Sequence, residues 1–240
     1  MNNVPLAPQH PEIPFNSNLA GMIDHTLLKP DATAAQINTL CQEALNYRFA
    51  SVCVNPYWVP LARHLISPAD TVKICTVIGF PLGANTTDTK VAEAQSAINA
   101  GATEIDMVIN ISALKDGDYR YVEQEIAKVV QTAKEKALVK VILETCYLNE
   151  AEKIKACEIV KTAGANFVKT STGFGSGGAT VADITLMRQT VGTEMGVKAS
   201  GGIRDYATAA AMIQAGASRI GTSSGIQIVR QTASVSDSNY

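Results

Sequence analysis

Two lysines stand in apolar, strand-like segments: Lys169 in FVKTSTGF and Lys198 in GVKASGGIRD. An unpaired ammonium in a low-dielectric interior is costly, so burial lowers a lysine's pKa. From an ordinary value of ~10.4, only a few such amines in about ten thousand are neutral at pH 7. A shift to ~7–8 raises that fraction by two to three orders of magnitude. A neutral lysine attacks carbonyl carbon and forms a Schiff base, and a second cation close by helps to activate it. Lys198 lies in the strand after Lys169, beside it if the sheet closes. Asp106, in EIDMVIN, offers a carboxylate for proton transfer, and Asp24, in IDHT, a further charge expected at a barrel mouth. The plainer reading makes each lysine a snorkelling or salt-bridged residue, with Lys169 and Asp106 a structural ion pair. Two strand lysines, a register-matched aspartate and glycine-rich turns after both lysines favour chemistry. Lys140, in LVKVIL, has no such cluster behind it and reads as an exterior or salt-bridged residue.

Those turns are STGFGSGG, SGGIRD and GTSSG. They fall where the enzymes of an α/β barrel carry their chemistry, and the loops after strands seven and eight often bind phosphate there. Backbone N–H groups at Gly173, Gly201, Gly202 and Gly221 can approach an anion closely. Thr172, Ser223 and Ser224 add hydroxyls, and a helix starting at the two serines would suit a phosphate. Ordinary turn glycines are the alternative for any one motif. None of the three is a Walker A loop, and SGGIRD is not GxGxxG, so no nucleotide is expected. His10, His25 and His64 lack metal-ligand spacing. Glu144, ending strand five, faces the site or pairs with a buried cation, and Arg204 touches phosphate or caps the surface.

The elements that must hold these groups are readable. Eight Val- and Ile-rich runs, apolar on both faces, alternate with helical patterns at about the 30-residue spacing of a βα repeat. The runs are MIDHTLL, ASVCVNP, VKICTVIGFP, EIDMVIN, LVKVILET, NFVKTST, GVKAS and RIGTSS. Thr33-x-x-Gln36 is a capping box ahead of a stripe of Ile37, Leu40, Cys41, Ala44 and Leu45. Val122, Ile126, Val129, Val130 and Ala133 form another stripe, and Asn149 and Asp205 are N-cap candidates. Three copies, AGATEIDMV, AGANFVKTS and AGASRIGTS, place helix-ending glycines at 101, 164 and 216. Five residues beyond each lie Asp106, Lys169 and Gly221. Alternate strands of a barrel share layers, so these three face inward together, with Cys53 of strand two as the fourth member. The expectation is a single (β/α)8 TIM barrel over 1–240: barrel about 20–228, N-terminal arm 1–18 and polar tail 230–240. An open doubly wound sheet is the alternative.

Composition narrows the class. With 46% hydrophobic residues and 20 basic against 22 acidic side chains, the 240-residue chain can fill a core and has no global attraction for nucleic acid or anionic lipid. No apolar run reaches the ~18 residues of a membrane span, and the N-terminus does not read as a secretory signal. Five cysteines, none in a CxxC pair, read as reduced thiols of a cytoplasmic protein.

The segments IDHTLLKP, SVCVNP, VIGFPLGAN, EIDMVIN, ETCYL, FVKTSTGF, KASGGIRD and GTSSG together resemble the deoxyribose-phosphate aldolases, in order, from about Met22 to Ser224. The resemblance implies reversible cleavage of 2-deoxy-D-ribose 5-phosphate to acetaldehyde and D-glyceraldehyde 3-phosphate, in deoxyribonucleoside catabolism. It makes Lys169 the Schiff-base lysine, Lys198 the lysine that tunes it and Asp106 the proton-transferring carboxylate, with Asp24 nearby. Gly173, Gly201, Gly202, Gly221, Ser223 and Ser224 match phosphate-binding positions, and Cys53 a strand-two cysteine near the site. No metal or organic cofactor is implied, and the assembly implied is a homodimer or homotetramer. Some members carry a lysine after the glycine of the Schiff-base motif. Here it is Phe174, which removes a cation and favours tolerance of unphosphorylated substrates. Some members end in a tyrosine that reaches the site, as Tyr240 would. Two other functions fit the residues: an isomerase or epimerase with Asp106 as base, and a non-catalytic sugar-phosphate binder.

Overall fold

Short β-branched runs separated by helical sequence favour parallel strands with helical crossovers. The computed structural model of the chain describes residues 16–231. Its strands are β1 Ile23–Leu27, β2 Ser51–Val54, β3 Lys73–Ile78, β4 Glu104–Val108, β5 Leu138–Ile142, β6 Phe167–Lys169, β7 Gly196–Ser200 and β8 Arg219–Thr222. Each pairs with the next, and β8 returns to β1 through Asp24 and Gly221. That closure rules out the open sheet: this is a (β/α)8 TIM barrel. The N-terminal arm to residue 15, and the tail from residue 232 with Tyr240, lie outside the described residues.

The described helices are α1 Ser17–Ala20, α2 Ala34–Tyr47, α3 Val59–Leu65, α4 Thr87–Ala100, α5 Ile111–Lys115, α6 Tyr119–Ala133, α7 Glu150–Thr162, α8 Val181–Val191, α9 Tyr206–Gln214 and α10 Gly225–Arg230. The Thr33–Gln36 capping box opens α2, and the Asn149 and Asp205 side chains cap α7 and α9. Gly101, Gly164 and Gly216 have φ of 110°, 79° and 115°, the left-handed geometry at which α4, α7 and α9 stop. No described helix is long and apolar enough to cross a membrane.

Strand period two sorts the side chains. Val52, Ile105, Met107, Val139, Val141, Val168, Val197 and Ile220 point outward into one core with Ile37, Val122, Ile126, Val129 and Met187 of the helices. Each such burial contributes about 1.5–3 kcal/mol. The inward positions are mostly polar, apart from a small cluster of Leu28, Cys53, Cys75 and Val77. One ion pair crosses the helical layer. Lys90 of α4 lies 2.8 Å from Glu125 of α6, both fully buried. Lys90 also donates to the Val108 carbonyl (2.8 Å), and Glu125 accepts from the Asn110 N–H (3.1 Å). The pair anchors the end of β4, the strand that carries Asp106.

Candidate active site

Inward alternation brings Asp24, Glu104, Asp106, Lys140, Lys169, Lys198 and Arg219 into one buried cluster. Lys169 Nζ and Lys198 Nζ both donate to Asp106 Oδ2, each at 2.7 Å. Lys140 Nζ donates to Asp106 Oδ1 at 2.9 Å and lies 2.5 Å from Glu104 Oε2. Asp24 pairs with Lys198 at 2.5 Å and with Arg219 at 2.6 Å, and accepts from the Ser51 hydroxyl at 2.7 Å. Four cations therefore face three carboxylates, and loss of one proton brings the cluster to neutrality.

Burial acts to raise the Asp106 carboxyl, but Lys140, Lys169 and Lys198 outweigh it and hold it well below the usual range. Asp24 is held down against burial in the same way, by Lys198, Lys140 and Arg219. Burial pulls Lys198 toward the neutral form, but Asp106 and Asp24 reverse that and raise it, so Lys198 remains an ammonium beside Lys169. Lys169 is thus not the isolated amine pictured from its sequence context. It shares a carboxylate oxygen with a persistent cation.

A cavity of about 280 Å³ opens at the carboxyl ends of the strands. Of the three interior lysines, only Lys169 lines it; Lys140 and Lys198 lie beneath. Its wall is largely the 172–178 and 200–204 loops, with Gly221 to Ser223 beside them. Gly173 (φ 87°) and Gly202 (φ 79°) are left-handed, and a Cβ on either would meet nothing within 4 Å, so their backbone borders open space. Gly201 instead packs on Gly178: a Cβ there would lie 2.9 Å from the Gly178 Cα. A Cβ at Gly221 would approach Lys198 Cε at 3.0 Å, so this glycine makes room for the lysine stem. The Ser224 N–H is taken by Thr222 Oγ1 at 2.9 Å, while Ser223 lines the cavity.

Three expectations need correction. Asp24 is fully buried and lies below the mouth; Thr26 and Leu28, further along the same inward face, line the cavity. Lys140 is salt-bridged but not exterior, because a barrel's outer face is covered by helices and offers no solvent to a strand lysine. Cys53 is inward and buried, but packs with Cys75, Leu28 and Val77 and does not line the cavity. Glu144 ends β5 and accepts from the Thr172 backbone N–H (3.2 Å) and hydroxyl, so it clamps the loop after Lys169. His25 points away from Asp24 and contacts Glu43 of α2 at 2.7 Å. Arg204 lines the cavity, and Phe174 packs edge-on against Phe80 with centroids 5.4 Å apart. Cys53, Cys75 and Asp106 place potential ligand atoms within 4.8 Å of one another. The ammoniums around Asp106 make that place unfavourable for a metal cation.

A family model described as DeoC/LacD family aldolase matches residues 19–231. The chain belongs to that family. The deoxyribose-phosphate aldolase of Caldanaerobacter subterraneus subsp. tengcongensis is 63% identical over 216 residues, 89% of this chain and 93% of that protein. That of Thermococcus gammatolerans is 64% identical over 214 residues, 88% of this chain and 95% of that protein. The tetrameric deoxyribose phosphate aldolase of Aeropyrum pernix superposes with a TM-score of 0.80 at 37% identity, covering 89% of this chain and 90% of that one. Like those relatives, this member of the aldolase family has its whole barrel within the matched span.

Proposed function

We infer that the chain reversibly cleaves 2-deoxy-D-ribose 5-phosphate to acetaldehyde and D-glyceraldehyde 3-phosphate, as a class I aldolase with Lys169 as the Schiff-base residue. The observation that carries this reading is that Lys169 alone, of three interior lysines, reaches the cavity. The neutral Lys169 amine adds to the C1 aldehyde of the open-chain sugar. The carbinolamine loses water and becomes a protonated imine, an electron sink. The C3 hydroxyl then gives up its proton as the C2–C3 bond breaks. The bonding pair moves into an enamine, and C3 leaves as the aldehyde of glyceraldehyde 3-phosphate. Protonation of the enamine at C2 and hydrolysis of the imine release acetaldehyde and restore the amine.

Asp106, in contact with Lys169, passes protons to and from these intermediates, through water where the distance requires it. Lys198, kept charged by Asp106 and Asp24, opposes a second ammonium beside it. The 5-phosphate is assigned to the backbone at Gly173 and Gly202, with Gly201, Ser223 and Arg204 around it. With an aromatic ring at Phe174, affinity for phosphate is reduced and unphosphorylated substrates are better tolerated. The proposed assembly is a homodimer or homotetramer in the cytoplasm, a compartment whose reducing poise suits the free thiols.

Borohydride reduction in the presence of acetaldehyde, followed by peptide mass mapping, tests the assignment. It should place one ethyl group on Lys169. An adduct on Lys198 would reverse the two roles, and no adduct would favour a barrel isomerase using Asp106 as base.

A further inference from the structure

We propose that Lys140 is a positioning residue for this reaction: its ammonium pins one oxygen of Asp106, so that the other oxygen is presented to Lys169 and Lys198. The inference rests on the Schiff-base reading above. A lysine ammonium has three N–H donors and no acceptor. Those of Lys140 have three near partners: Glu104 Oε2 at 2.5 Å, Asp106 Oδ1 at 2.9 Å and Cys75 Sγ at 3.3 Å. Its side chain is fully buried and does not line the cavity, so it is not placed to meet substrate.

The two oxygens of Asp106 are divided by task. Oδ1 takes Lys140 and the Cys75 thiol, the latter at 3.1 Å. Oδ2 takes the nucleophile and its companion, each at 2.7 Å. Once Lys169 becomes an imine it has lost donors, and Lys198 alone would hold that side. A carboxylate tethered at a single oxygen can turn about its last torsion. The Lys140 and Cys75 contacts oppose that rotation, and they stay in place while the other side changes chemistry.

Asp106 is faced from every strand. Asp24 comes from β1, Cys53 from β2, Cys75 from β3, Glu104 from its own β4, Lys140 from β5, Lys169 from β6 and Lys198 from β7, with Arg219 of β8 paired to Asp24 and Glu104. Burial raises the Asp106 carboxyl, and Lys140 contributes most among the ammoniums that hold it down. A bystander cation is the competing reading. Removing Lys140 leaves three cations against three carboxylates, with Glu104 still 3.2 Å from Arg219, so a bystander's loss would be mild.

Lys140→Met and Glu104→Gln in the full chain decide between these, read by the pH dependence of kcat and kcat/KM and by borohydride trapping. Lys140→Met should still trap acetaldehyde at Lys169 and keep KM within about threefold. Its kcat should fall about tenfold or more, and the acid limb should move up by about one pH unit. Glu104→Gln should move that limb down, because Lys140 then serves Asp106 with less competition. A folded Lys140→Met variant with parental kcat and acid limb would overturn the proposal, as would an upward shift of equal size in both variants. If Lys140→Met does not fold, an unmoved limb in Glu104→Gln overturns it and a downward shift supports it. Absence of any adduct in the parent chain would count against the Schiff-base reading, which these profiles do not test.

Discussion

Asp106→Asn is the most demanding perturbation of the buried cluster. The carboxylate accepts from three ammoniums at 2.7–2.9 Å. An amide keeps the shape, but offers one acceptor oxygen in place of two and carries no charge. Four cations would then face only Asp24 and Glu104. Leaving a buried charge without its partner costs about 3–5 kcal/mol, a large share of the ~5–15 kcal/mol that holds a typical domain folded. The strain is relieved if an ammonium of the cluster sheds its proton on folding. The folded variant then binds fewer protons than the unfolded chain, so its stability rises with pH, by at most about 1.4 kcal/mol per pH unit for each proton. Urea unfolding at pH values of about 7 and about 9.5 should show a variant weakened at the lower value and partly recovered at the higher, while the parent gains nothing. Turnover should drop by about 10²–10⁴ as the proton carrier is lost. A variant within about 1 kcal/mol of the parent at neutral pH, with no recovery on the alkaline side, would refute the idea that Asp106 compensates this cluster.

Two further outcomes follow from the same geometry. Gly202→Ala puts a methyl group into open cavity from a left-handed backbone; KM for the phosphorylated sugar should rise about tenfold, with stability reduced by ~1–2 kcal/mol, and an unchanged KM in steady-state assays would remove Gly202 from the phosphate site. Asp24 and Asp106 are held below the ordinary carboxylate range, so the stability they supply is present above ~3.9 and is lost as pH falls through their lower folded values. Chemical denaturation should therefore weaken progressively below about pH 4; a flat acid profile would contradict that assignment.

The strands could be read from sequence because a parallel barrel needs runs apolar on both faces. All eight runs became β1 to β8. Helix ends were equally plain, since Thr33, Asn149, Asp205 and the three glycines act locally. Register carried further: a five-residue offset from each helix-ending glycine placed Asp106 and Lys169 on the inward face. It did not give depth along the barrel axis. Asp24 was therefore placed at the mouth, although its partners lie beneath the cavity. Lys140 was missed because attention went to what followed each lysine. The usable signal was the helical cover itself, which leaves a strand lysine no water on either face. Glu144 and the Lys90–Glu125 pair depend on contacts between distant segments that no local pattern announces.

The separation of an oily annulus from a charged lumen has a consequence for how this molecule tolerates change. Its adhesive surface lies between staves and outer helices, so the lumen contributes little cohesion and answers to a different constraint, its sum of charges. A lumen residue can be exchanged for one of unlike size and polarity, provided that a compensating exchange restores the tally across the axis. Paired substitutions should accordingly survive in variant libraries where either single change is lost.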